Sequence, residues 1–148
     1  MNIEELLSRP YRIIDILPKQ VPANRAEQYF AVDRYFRRKL REKILLQKLS
    51  LLLKLNCYAD LTLMLPESEE TIENPAPEKL RSLVAEQQIY LFAGSALITS
   101  DPEDSYMSLY NADEDLLKLV QALAASVGLF VWKPSSDPET SEAGESGL

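Results

Sequence analysis

The 33 residues from Asn24 to Asn56 contain neither glycine nor proline, and this run constrains the fold more than any other feature of the chain. It predicts helix, about 48 Å long if unbroken at 1.5 Å per residue, which is more than a compact domain of 148 residues is wide. The segment therefore bends near Arg41 to Ile44, or one end projects past the core. At 100° per residue, Tyr29, Val32, Phe36 and Leu40 form an apolar stripe, while Arg34, Arg37, Arg38 and Arg41 share an arc of roughly 100° on the other side. After Glu42, leucines take over the arginine side as well. The second half is apolar nearly all round and predicts a helix buried on more than one face.

Upstream, Asn2 to Ser8 predicts a short amphipathic helix. Tyr11 to Leu17 predicts a strand covered on both faces and stopped by Pro18. Asn24, with Glu27 three residues on, has the spacing of a capping box for the long helix. Downstream, Cys57 to Leu65 alternates as a strand does, and Pro66 to Pro77 reads as an acidic surface loop. Glu78 to Gln87 predicts a helix, Ile89 to Thr99 one or two strands around Gly94, and Asp101 to Asp104 an acidic turn. Tyr106 to Tyr110 predicts a strand. A helix capped by Asn111 or Asp113 and ended by Gly128 follows, then a last strand from Leu129 to Trp132. This order predicts an α/β (α+β) chain with one domain over residues 1–133, a mixed sheet of four or five strands packed with helices, and a disordered acidic tail over 134–148.

Hydrophobic residues make up 46% of the chain, enough for one real core. No apolar run is long enough to span a membrane, and the first residues lack signal-peptide character, so the expected location is the cytoplasm. The net charge of −7 hides a division: residues 1–65 carry +5 and residues 66–148 carry −12. Such asymmetry fits an external partner, or two parts that neutralise each other in the fold or across a dimer.

The absence of histidine removes His-based nucleophilic triads and histidine metal sites, and no glycine-rich phosphate loop or esterase elbow is present. Cys57 reads as a buried structural thiol. Asp101, Glu103 and Asp104 lack the loop of a calcium site, and Asp113 to Asp115 are accounted for by the helix dipole. Asp15 and Asp60, each set in apolar sequence, are the carboxylates most exposed to a pKa shift. No catalytic set, metal site or cofactor follows from these residues.

Arg34, Arg37, Arg38 and Arg41 are the candidate binding residues. They form a solvated helix surface or one met by the chain's own acidic loop or tail, dock an acidic protein surface such as a second copy of this chain, or track phosphates with Tyr29 and Tyr35 stacking. Net acidity weighs against nucleic acid. The expectation is a small intracellular, non-catalytic protein-binding or adaptor module. A nucleic-acid binder or a carboxylate-based metal-dependent enzyme is the alternative.

Overall fold

The computed structural model describes residues 2–135. In chain order it contains α1 (Ile3–Leu7), β1 (Tyr11–Asp15), a 3-10 turn (Ala23–Arg25), α2 (Ala26–Lys39), α3 (Arg41–Asn56), β2 (Thr62–Met64), β3 (Thr71–Glu73), α4 (Pro77–Glu86), β4 (Ile89–Ala93), β5 (Ala96–Ser100), β6 (Met107–Tyr110), α5 (Glu114–Ser126) and β7 (Phe130–Trp132). The class is α+β. The strands form one sheet in the order β3-β2-β4-β5-β6-β1-β7.

Two sheet expectations need correction. Among the described residues the sheet has seven strands, not four or five, and every pairing is antiparallel, so it is not mixed. Ile89 to Thr99 splits into β4 and β5 across the two-residue turn Gly94–Ser95, where Gly94 adopts φ +60°, a conformation open to glycine at the first turn position. The other addition is β3, inside the region read as an acidic loop. An edge strand made of only Thr71, Ile72 and Glu73 buries little, so it shows no apolar alternation, and charge at an edge discourages pairing with other chains. Conversely, residues 57–61 are turn and loop, and only Thr62–Met64 is strand.

Asn74 holds this loop in place. Its backbone has φ +45°, its Oδ1 accepts from Leu61 N at 2.9 Å and from Asn56 Nδ2 at 2.8 Å, and its Nδ2 donates to Asp60 Oδ1. Asn74→Ala is expected to cost about 1–2 kcal/mol, read as a lower urea midpoint at unchanged slope, because it removes three bonds and leaves a β-carbon in left-handed backbone.

Directly paired strand residues share a face. One face carries Leu63, Leu91, Ile98 and Leu109 in a row, with Ile89, Met107 and Ile14 beside them. These residues form the main core with Leu49, Leu51, Leu52 and Leu55 of α3, Leu80, Leu83 and Val84 of α4, and Val120, Leu123 and Ala124 of α5. The opposite face carries Tyr90, Phe92, Leu97, Tyr11, Ile13, Asp15 and Trp132. Ile13 and Leu97 are buried there, outside the main core.

The long helix is two helices. It breaks at Leu40 (φ −118°, ψ 26°), one residue before the stretch where a bend was expected, and Leu40 both ends α2 and precedes α3. The halves differ as their composition predicts: α3 buries six residues and α2 buries none. The apolar stripe of α2 is only half covered, with Val32 and Leu40 exposed and Tyr29 and Phe36 partly buried. Asn24 is not the helix cap. It lies within the 3-10 turn, and α2 starts at Ala26 without a side-chain cap. At α5, Asp113 is the cap, accepting from Leu116 N at 2.8 Å, and Gly128 follows the helix at φ +81°.

One further expectation changes. Cys57 is exposed, because it caps the C-terminus of α3 and does not begin a strand. At the end of the described residues Pro134 is buried and Ser135 N donates to Gln20 Oε1 at 2.6 Å. The remainder of the expected acidic tail, 136–148, lies outside the described residues. Among the described residues, no helix is long and apolar enough to cross a membrane.

Candidate functional site

Arg34, Arg37, Arg38 and Arg41 line one cavity of about 500 Å³ where α2 meets α3, with α4 and the 102–104 turn as its other walls. The break at Leu40 matters here, since Arg41 belongs to a different helix from the other three yet reaches the same space. Lys48 and Arg81 also line the cavity. Six cationic side chains face Glu42, Glu103 and Asp104, so the lining is net positive in a chain that is net negative.

Half of these cations are internally engaged. Arg37 Nε pairs with Asp33 Oδ2 at 2.9 Å, and its Nη1 donates to the Glu103 carbonyl at 3.1 Å. Asp33 Oδ1 accepts from Ser105 Oγ at 2.8 Å, fastening α2 to the segment before β6. Lys48, only 4% exposed, donates from Nζ to the carbonyls of Asp101, at 3.1 Å, and of Asp104. Burial lowers the Lys48 pKa to about 8, against the opposing pull of Asp104 and Asp101. The Asp104 carboxyl is raised, first by burial and then by Asp101, while Lys48 and Arg37 act in the other direction. Arg81 pairs with Glu42 at 2.8 Å.

The acidic turn is thus clamped by a cation from each half of the helical pair. Arg37 and Lys48 both donate to its backbone carbonyls. Arg34, Arg38 and Arg41 are different. All three are exposed, and none makes a hydrogen bond or ion pair among the described residues.

Of the predicted residues, all four reach one cavity, and Arg37 separates from the rest as a structural clamp. Lys48 and Arg81 were not among those predicted. Lys48 lies seven residues after Arg41, the same interval that separates Arg34 from Arg41, so extending the arginine spacing into the leucine-rich half finds it. Arg81 arrives from α4 and has no local signal. Tyr29, which the sequence offers for base stacking, is half-buried and lines a second cavity; Tyr35 is 56% exposed. Asp60 is exposed and bonded to Asn74. Asp15 is buried, and burial raises its pKa. Among the described residues, no group of three or more Cys, Asp or Glu is placed to hold a metal ion.

Chemically, a concave surface with three uncommitted guanidinium groups suits carboxylates or phosphates, which the planar guanidinium fork engages with two parallel bonds. No family model, curated protein or solved structure matches the chain.

Proposed function

We propose that this chain is a non-catalytic binding module that docks an acidic protein surface onto the cavity between α2 and α3. The observation that carries this reading is that Arg34, Arg38 and Arg41, on the wall of a concave site, have no side-chain partner among the described residues. The apolar residues of α2 support it. Phe30 is 59% exposed and falls on the same helical face as Arg34, and Tyr35 stands exposed beside them. Exposed aromatic and arginine side chains on one element are the composition of an interface centre, where Tyr and Arg supply most of the binding energy. Nucleic acid fits less well, because Tyr29 is turned to another cavity and the chain's acidity opposes a polyanion at long range.

The defined test is titration of a glutamate-rich peptide at low salt against wild type and the triple variant Arg34→Glu, Arg38→Glu, Arg41→Glu. Arg37 and Lys48 stay, because they hold the acidic turn. The variant is expected to keep its fold by circular dichroism and to bind about 100-fold more weakly, with wild-type affinity falling as salt rises. Equal binding by the folded variant overturns the reading. Tighter, salt-steep binding of single-stranded DNA than of the peptide would transfer the site to nucleic acid. Sedimentation of the purified chain then tells whether a second copy supplies the acidic surface.

A further inference from the structure

A second cavity, of about 320 Å³, lies on the opposite face of the sheet from the main core. Its floor is Tyr11, Ile13 and Asp15 of β1 with Trp132 of β7, and the segment from Gln20 to Tyr29 forms one wall, with Tyr106 and Pro134 beside it. That volume is within the range of small-molecule sites. Four aromatic rings and one carboxyl in so small a space is an unusual content for a packing defect.

Asp15 is the group that the fold does not explain. It is 5% exposed, its Oδ1 accepts from Ile16 N at 2.7 Å, and among the described residues it has no ion pair. Burial raises its pKa despite opposing help from the Ile16 and Leu17 backbone and from Trp132, and Asp33 pushes the same way as burial. The Trp132 Nε1 is itself buried and makes no hydrogen bond of ordinary geometry. The neighbouring tyrosines feel the same negative field. Tyr29 is pushed up to about 12 by burial and then by Asp33, Asp15 and Tyr106, while Tyr106 is raised by burial and then by Asp104, Tyr110, Asp15 and Tyr11. Among the described residues, no lysine or arginine lines this cavity.

We infer that the cavity bounded by Asp15, Tyr11, Tyr29, Tyr106 and Trp132 is a binding site for a small organic ammonium ion. A buried carboxyl without a counter-charge is costly, and a cation beside it removes that cost. Aromatic rings attract a cation through their quadrupoles, most strongly where water is excluded, and they suit alkylated ammonium groups that bring carbon surface with the charge. A phosphate or carboxylate ligand meets the wrong sign here, as it meets the right one at the arginine cavity. The site is separate from the docking surface proposed above and does not depend on it.

Trp132 is the single tryptophan of the chain, so its fluorescence reports this cavity directly. Choline is the probe, and 3,3-dimethylbutan-1-ol, the same shape with carbon in place of nitrogen, is its neutral control. Choline is expected to change the emission saturably below about 10 mM, with the alcohol at least about tenfold weaker. Asp15→Asn keeps an acceptor for Ile16 N and is expected to weaken choline by about tenfold or more. Should that variant misfold, Tyr106→Leu serves instead, with a similar loss expected. Equal binding of choline and the alcohol, no saturation up to about 100 mM, or a folded variant that binds choline as wild type does each overturns the assignment.

Discussion

Raising the pH from 8 to 10 is expected to add about 2 kcal/mol of stability through Lys48, partly offset by tyrosines near pH 10, and replacing Lys48 with methionine is expected to abolish that gain. Lys48 titrates at about 8 in the folded chain against an ordinary 10.5, chiefly because it is buried. Between those values the unfolded chain holds the proton and the folded chain does not, so unfolding takes up a proton and stability climbs with pH. The contribution is complete above 10.5 and is lost as pH falls through about 8, below which the folded protein carries a buried ammonium. Neutral Lys48 can still donate to the carbonyls of Asp101 and Asp104, so deprotonation spares the clamp on the acidic turn.

The tyrosines reverse the trend at higher pH. Tyr29 is raised to about 12, and Tyr106 and Tyr110 are raised too, each mainly by burial. Their unfolded counterparts ionise first, near 10, so the folded state loses stability as pH climbs past that value. Urea midpoints at one-unit intervals from pH 7 to 11 should therefore peak near pH 10 in the wild type and show no rise from 8 to 10 in Lys48→Met. A wild-type curve that declines steadily from pH 8 contradicts a buried ammonium at this position.

The amphipathic pattern of Tyr29 to Leu55 marks where helix must be and which half is buried, because both follow from spacing alone. Spacing also gathers Arg34, Arg37, Arg38 and Arg41 on one side. It does not distinguish Arg37, tied to Asp33 and Glu103, from its three uncommitted neighbours, since that distinction depends on where the 101–105 segment returns in space. Strand β3 has the same difficulty in another form: a three-residue edge with one apolar side chain, Ile72, is recognisable only through its partner β2. The Asp15 cavity is intermediate. A carboxylate within Ile13, Ile14 and Ile16 announces an unusual environment, but its aromatic neighbours come from positions as distant as Tyr106 and Trp132.

Truncating the two halves of the helical pair should produce opposite outcomes. Leu52 and Leu55 of α3 are fully buried, so Leu52→Ala and Leu55→Ala are each expected to cost about 3–5 kcal/mol, the loss of buried methyl groups plus an unfilled cavity. That is a large share of the roughly 5–15 kcal/mol that holds a domain together, and either variant should show a marked fall in urea midpoint. Leu46→Ala, on the exposed side of the same helix at 44%, is expected to cost under about 1 kcal/mol and controls for helix propensity. Phe30→Ala and Tyr35→Ala in α2 should be comparably mild, because those rings contribute little to a core they barely touch. If Phe30→Ala proves as damaging as Leu52→Ala, α2 is part of the folded core and its aromatic residues need no partner. If it is mild, the helix retains large apolar side chains that folding does not require, and the same variants become the ones to test for loss of peptide binding beside Arg34, Arg38 and Arg41.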